Sequence, residues 1–132
     1  MKPRTISKLL RKVIKTFPSV ILTGPRQSGK TTLLKSEFGD TYDYASLENP
    51  DVRLRAKEDP IGFLGQFSKP VILDEIQYVP ELLSYIKSLI DENRQPGKWI
   101  LTGSQNFVLM QNISESLAGR AAILTLMPFS IS

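Results

Sequence analysis

The chain of 132 residues contains no cysteine and no histidine. Without cysteine it has no disulfide, no thiolate nucleophile and no cysteine-bound zinc. Without histidine it has no imidazole base, no serine–histidine triad and no histidine-bound metal. Any catalysis must therefore use carboxylates, lysine, arginine, hydroxyls and backbone N–H groups. Any metal must be a hard cation such as Mg²⁺, which binds oxygen ligands.

Long apolar runs are also missing. The longest contain four residues, at 107–110 and 121–124, whereas a membrane span needs about 18 or more. The N-terminus lacks the apolar region of a signal peptide. Because 41% of the residues are hydrophobic and 23% are charged, the composition is typical of a folded globular domain. We therefore expect one cytoplasmic domain over 1–132, with no membrane span.

The net charge of +4 is unevenly distributed along the chain. The first 36 residues contain nine basic residues and no acidic one, whereas the remainder contains eight basic and 13 acidic residues. A basic segment of this kind is typical of a DNA-binding surface. It is also typical of a solvated helix face followed by lysines that bind phosphate. Both interpretations stay open at this point, and we favour the second.

Apolar periodicity predicts alternating helices and strands. Three of the strands are continuous apolar runs, which favours a parallel sheet covered by helices on both faces. Asn49 precedes Pro50 as a helix cap, and Asp59 precedes Pro60 in the same way. The predicted helices lie at 4–16, 30–38, from Pro50, 60–67, 80–93, 104–110 and 114–117, and the predicted strands at 19–23, 41–46, 70–74, 99–102 and 121–126.

Residues 24–31 match the phosphate-binding pattern G-x-x-x-x-G-K-[ST] between a predicted strand and a predicted helix. The glycines allow backbone N–H groups to wrap a phosphate, and the helix N-terminus favours negative charge. Lys30 is expected to reach the β- and γ-phosphates of ATP, and the Thr31 hydroxyl to bind Mg²⁺. The predicted nucleotide-binding residues are Gly24, Pro25, Arg26, Gln27, Ser28, Gly29, Lys30, Thr31 and Thr32.

A second predicted strand ends in two carboxylates, Asp74 and Glu75. In open α/β sheets, ligands bind at the carboxyl ends of the strands. Asp74 is therefore a candidate Mg²⁺ ligand, direct or through water. Glu75 is a candidate base that polarises a water towards the γ-phosphate. Hydration of a strand end is the alternative explanation, and the upstream phosphate loop favours the functional one.

The strand predicted at 99–102 also ends in polar groups. If this strand lies between the phosphate-loop strand and the acidic strand, Ser104 faces the γ-phosphate. Thr102 and Gln105 are alternatives for that role. A helix cap at Ser104 explains the same residue nearly as well and is compatible with it.

The sequence resembles the AAA_14 domain, the N-terminal ATPase module of prokaryotic AAA+-like proteins with a DUF4143 C-terminal region. The resemblance covers nearly the whole chain, with its motifs in family order. It includes Leu73-Asp-Glu-Ile-Gln and Leu117-Ala-Gly-Arg. The matching segments lie at 22–33, 46–50, 59–60, 73–82, 101–105 and 115–120.

The resemblance implies a five-stranded P-loop sheet with strand order 5-1-4-3-2. It also implies that a C-terminal region is missing here, which in the family has been thought to be involved with DNA. It implies that Asp74 and Glu75 form the Walker B motif, with Glu75 as catalytic base, and that Ser104 is the sensor. It also implies that Arg120 contacts the γ-phosphate, perhaps in a neighbouring subunit of a homo-oligomer. A structural ion pair at a strand start explains Arg120 equally well, and Arg26 is expected to be solvated.

Three functions fit these features. The first is an ATPase that uses Mg²⁺ and drives a conformational change in C-terminal domains. The second is a small P-loop kinase, and the third is a nucleotide-switched DNA-binding module. The Asp-Glu pair favours hydrolysis, since a kinase must exclude an activated water and should have an arginine-rich lid. Arg120 is the only arginine after Arg94, and no Asn-Lys-x-Asp segment for guanine is present.

Overall fold

The computed structural model describes residues 3–24, 29–104, 117 and 119–126. Most of the helices predicted at 104–110 and 114–117 falls outside these residues. Within them, no helix is both long and apolar enough to cross a membrane. The elements in chain order are α1 (Pro3–Val13), β1 (Ser19–Thr23), α2 (Lys30–Phe38), β2 (Asp43–Ser46), α3 (Pro50–Glu58), α4 (Pro60–Gly65), β3 (Val71–Asp74), a 3₁₀ helix (Ile76–Tyr78), α5 (Leu82–Glu92), β4 (Trp99–Gly103) and β5 (Ala121–Thr125).

The five strands form one parallel sheet in the order β2-β3-β4-β1-β5. This is the predicted order read from the opposite edge, so the predicted α/β fold is confirmed. β1 lies between β4 and β5, with Ser19 opposite both Trp99 and Ala121. Because all strands run the same way, their carboxyl ends meet at one edge of the sheet.

Alternate residues of the central strands enter two hydrophobic cores. On one face, Val20 and Ile100 pack with Leu10 of α1 and Leu34 of α2. On the other face, Ile21, Leu73 and Leu101 pack with residues of α3, α4 and α5 such as Ala56, Leu64 and Ile86. Burial on both faces explains the continuous apolar runs of β1, β3 and β4, which are buried along their full length.

Predicted helix starts that depend on local caps are observed. The Asn49 side chain accepts hydrogen bonds from the N–H groups of Asp51 and Val52, at 2.9 and 3.3 Å. Asp59 Oδ1 accepts from the Gly62 N–H at 3.1 Å. Each cap satisfies N–H groups that have no partner within the helix.

Other predicted boundaries are shorter in the structure. Helix α1 ends at Val13 rather than at residue 16, and residues 14–16 form a turn before Pro18. β2 begins at Asp43 rather than at residue 41, because the N–H groups of Thr41 and Tyr42 bond to Phe38 O at the end of α2. The 3₁₀ helix after the acidic pair is not predicted from the sequence.

Candidate functional site

The candidate site lies at the carboxyl edge of the sheet, where three neighbouring strands end. Gly24 follows β1, Asp74 ends β3 and Ser104 follows β4. β4 lies between β1 and β3, so the strand order that the prediction for Ser104 requires is present. The fold thus brings the phosphate loop, the acidic pair and Ser104 to the same edge.

Lys30 is buried at the start of α2, with 3% of its surface exposed. Its Nζ donates a hydrogen bond to Gly24 O at 2.7 Å. A buried ammonium group needs polar partners, because isolated burial of a charge is costly. Gly29, the residue before α2, has φ = 86°, which favours glycine. Thr32 is exposed on α2, while Pro25, Arg26, Gln27 and Ser28 lie outside the described residues.

The buried carboxylate of Asp74 accepts hydrogen bonds from three hydroxyl groups. Thr31 Oγ1 donates to Asp74 Oδ2 at 2.7 Å, and the Tyr44 hydroxyl donates to the same oxygen at 2.6 Å. Thr102 Oγ1 donates to Asp74 Oδ1. The two predicted metal ligands, Thr31 and Asp74, are therefore in direct contact, and Thr102 is fully buried against Asp74.

Tyr44 is a site residue that the sequence analysis does not identify. It lies on the edge strand β2, and Lys35 Nζ lies over its ring, 4.3 Å from the ring centroid. Burial raises the pKa of Tyr44 above its ordinary value, and the hydrogen bond to Asp74 raises it further. The phenol therefore stays protonated and donates to Asp74 at neutral pH.

Glu75 has a left-handed backbone conformation, with φ = 61° and ψ = 56°. Its N–H donates to Thr102 Oγ1 at 2.8 Å, and its Oε1 accepts from Gln77 Nε2 at 2.7 Å. A non-glycine residue in this conformation costs about 1–3 kcal/mol and is typical of functional sites. Among the residues that the structure describes, none donates to the buried Gln77 Oε1. Gln77, which donates to Glu75, is a second residue of the site that the sequence analysis does not identify.

The arrangement of oxygens suits Mg²⁺. Thr31 offers a hydroxyl oxygen and Asp74 a carboxylate, both hard donors at the N-terminus of α2. Across the described ranges, no three acidic side chains come together in a metal-binding group. A site that binds Mg²⁺ together with a nucleotide needs no such group, since phosphates and waters supply the remaining ligands.

The structure places Arg120 away from the phosphate loop of its own chain. Arg120 precedes β5, at the amino edge of the sheet, and β1 separates that edge from the loop by roughly 15 Å. Its Nε donates to Asp91 Oδ1 at 2.7 Å. Arg120 therefore lies at the opposite end of β1 from Gly24, its ion pair with Asp91 agrees with the structural explanation, and a contact with a γ-phosphate stays a prediction.

The comparisons with known proteins concern the family and the fold. The family model AAA_14, described as an AAA domain, matches residues 16–132. An uncharacterized protein of Mycobacterium tuberculosis is 37% identical over 127 residues, which are 93% of this chain and 28% of the relative. The chain thus spans about a quarter of the length of that relative.

Two solved structures share the fold. A Walker-type ATPase of Pyrococcus abyssi superposes with a TM-score of 0.59 at 19% identity, covering 94% of this chain and 53% of that one. A DNA replication initiation factor superposes with a TM-score of 0.60 at 15% identity, covering 93% of this chain and 44% of that one. Because the family model covers most of the sequence, this chain belongs to the AAA_14 family of AAA domains.

Proposed function

We propose that this chain is an ATPase module that binds ATP with Mg²⁺ and hydrolyses the bond between its β- and γ-phosphates. The observation that carries the proposal is the 2.7 Å hydrogen bond between Thr31 of the phosphate loop and Asp74 of the acidic strand. Two motifs that lie 43 residues apart meet there. Together they form the hydroxyl–carboxylate pair that a nucleotide-bound cation needs.

Each residue has a defined part in the proposed reaction. Lys30 neutralises the β- and γ-phosphates with its ammonium group, whose three donors allow it to keep its bond to Gly24 O. Thr31 and Asp74 hold Mg²⁺, which when bound neutralises charge on the phosphate oxygens. Ser104, beside the γ-phosphate position, orients the terminal phosphate.

Glu75 accepts the proton of the attacking water. Its carboxylate is held by Gln77 and its backbone by Thr102, so its direction is fixed by two neighbouring elements. Base catalysis of this kind contributes about 10² to 10⁴ in rate. In the whole protein, hydrolysis would drive a conformational change in C-terminal domains, as the resemblance implies.

The test separates hydrolysis from phosphoryl transfer to another molecule. The purified chain is incubated with ATP and Mg²⁺ and no acceptor, and free phosphate is measured, with EDTA as the control. Phosphate release that requires Mg²⁺ supports an ATPase. ADP formation that requires an added metabolite extract, with a phosphorylated product in place of free phosphate, would favour a kinase. A chain extended past Ser132 should turn over faster if a lid follows the sheet.

A DNA-binding function is the second candidate, and the exposed face of α1 favours it. Lys8 and Lys12 are exposed there, and Lys15 is exposed in the turn that follows α1. Arg11 is paired with Glu37 at 2.7 Å. One structural neighbour is a DNA replication initiation factor, although the likeness reaches the fold alone. A titration of duplex DNA at several salt concentrations tests this function, since contacts to phosphates weaken as salt rises.

A further inference from the structure

We propose that Tyr44 is a positioning residue of the metal site: its hydroxyl occupies the face of Asp74 that a divalent cation uses and leaves when the cation binds. The proposal rests on the proposed function, since it takes Thr31 and Asp74 as the groups that hold Mg²⁺. It assigns to edge strand β2 a role in controlling the affinity for the cation.

The acceptor positions of Asp74 are nearly all in use. A carboxylate has two oxygens, each with two lone-pair positions. Oδ2 accepts from Thr31 at 2.7 Å and from Tyr44 at 2.6 Å, so both of its positions are filled. Oδ1 accepts from Thr102 and keeps one position. A new partner can therefore reach Oδ2 only if one of its present donors leaves.

Oδ2 is the oxygen on the cation side of Asp74. It is the oxygen that contacts Thr31, the other proposed ligand, whereas Oδ1 faces the fully buried Thr102 on β4. A hydroxyl that binds a cation through its oxygen lone pairs keeps its proton for a hydrogen bond. Thr31 can therefore bind Mg²⁺ and still donate to Asp74. The donor that must leave Oδ2 is Tyr44.

The surroundings of Tyr44 allow its hydroxyl to leave Asp74 at a small cost in free energy. Tyr44 is 37% exposed on an edge strand. A phenol that turns away from Asp74 can therefore bond to water. Lys35 remains over its ring, one helical turn after Thr31. The Tyr44 hydroxyl thus bonds to the Asp74 carboxylate when no cation is bound. Breaking this hydrogen bond when a cation binds costs free energy, which lowers the apparent affinity for Mg²⁺.

The first measurement is the Mg²⁺ dependence of binding of a non-hydrolysable ATP analogue, without turnover. Tyr44→Phe should bind with half-saturation at an Mg²⁺ concentration about threefold to tenfold lower than the parent chain, because a charge-assisted hydrogen bond no longer competes. Tyr42→Phe is the matched control. Tyr42 also donates at 2.6 Å, but to Gly97 O at the opposite edge of the sheet. Its variant should keep the parent's Mg²⁺ dependence.

The second measurement is made on the unchanged chain, and the variants serve only to assign its signals. In a chain labelled at its four tyrosines, the ring NMR signal that Tyr44→Phe removes should shift when Mg²⁺ is added to the analogue complex. The signal that Tyr42→Phe removes should not shift. An unmoved Tyr44 signal would overturn the proposal.

Asp74→Asn separates failure of this proposal from failure of the proposed function. If Mg²⁺ strengthens analogue binding in the parent and not in Asp74→Asn, the metal site stands. Unchanged or weaker Mg²⁺ binding in Tyr44→Phe then overturns the role of Tyr44 alone. If Mg²⁺ has no effect on the parent chain, both the metal site and the role of Tyr44 are overturned.

Discussion

The two edges of the sheet use their polar side chains differently. At the carboxyl edge, side chains bond largely to other side chains: Thr31, Tyr44 and Thr102 all donate to Asp74. At the amino edge they bond largely to main-chain carbonyls. Tyr42 donates to Gly97 O at 2.6 Å, and Ser19 Oγ donates to Arg120 O at 2.6 Å.

The lysines limit this contrast, because Lys98 at the amino edge and Lys30 at the carboxyl edge both donate to main-chain carbonyls. Lys98 Nζ donates to the carbonyls of Phe67 and Lys69 at 2.7 and 2.9 Å, and burial lowers its pKa. These bonds fix loops that the fold must close. At the carboxyl edge, hydroxyls and carboxylates can exchange one partner for another, which a ligand site requires. Hydroxyl groups therefore bond to main-chain carbonyls at the amino edge and to a carboxylate at the candidate site.

The largest effect within a single chain should come from Glu75→Gln at the carboxyl edge. The amide keeps the shape of the side chain and can still accept from Gln77, but it cannot take a proton. We expect ATP binding to remain and hydrolysis to fall by about 10² to 10⁴. Phosphate release and analogue binding are measured on the same samples. Glu81→Gln, an exposed residue before α5 without a side-chain cap bond, is the control. Equal turnover in Glu75→Gln and the parent would mean that another group is the base.

Lys30→Ala should have the next largest effect, a loss of triphosphate affinity of about 100-fold or more, because a desolvated charge contact to phosphate is removed. Isothermal titration with the ATP analogue measures it. Lys57→Ala, on the exposed surface of α3, is the control and should bind like the parent. Parent-like affinity in Lys30→Ala would place the phosphates elsewhere.

Features set by local sequence could be predicted from the residues themselves, the strand order came from the family resemblance, and contacts of particular side chains across neighbouring strands could not be predicted. The phosphate loop, the caps at Asn49 and Asp59 and the apolar strands each depend on a few consecutive residues. The contact of Tyr44 with Asp74 depends on the register of β2 and β3, in which Ser46 lies opposite Asp74. An ion pair is one of the two explanations that the sequence offers for Arg120, but the sequence does not identify its partner, Asp91 on α5. Neither position follows from composition or periodicity.

Gly97→Ala tests the structural edge and should lower stability without affecting the site. Gly97 has φ = 70°, and a Cβ there would lie 2.8 Å from Ile14 O and 3.0 Å from the Tyr42 hydroxyl. We expect a loss of about 1–3 kcal/mol in the free energy of unfolding, measured in urea. Gly65→Ala is the control, since a Cβ there meets nothing within 4 Å. Analogue affinity of the folded Gly97→Ala chain should match the parent. A weaker affinity would show that the two edges are coupled.

The smallest effect concerns the exposed ion pair of Arg120 and Asp91. The hydrogen bond from Arg120 lowers the pKa of Asp91 below its ordinary value of 3.8, with smaller contributions from Lys87 and Arg94. A carboxyl whose pKa is lowered by folding stabilises the fold above its unfolded pKa and loses that contribution as pH falls through the folded value. Asp91→Asn should therefore be slightly less stable than the parent at neutral pH, and the difference should close below pH 3.8.

If the ion pair is the whole role of Arg120, Arg120→Gln should be less stable than the parent at neutral pH. This difference should also close below pH 3.8. If Arg120 also reaches a neighbouring subunit's nucleotide, turnover of the parent chain should rise with protein concentration. Arg120→Gln should then abolish that rise and lower turnover by up to about 10³ to 10⁵. Asp91→Asn should keep that turnover, because it removes the partner and not the arginine. Equal turnover in both variants, at every protein concentration, would assign Arg120 to the structural edge alone.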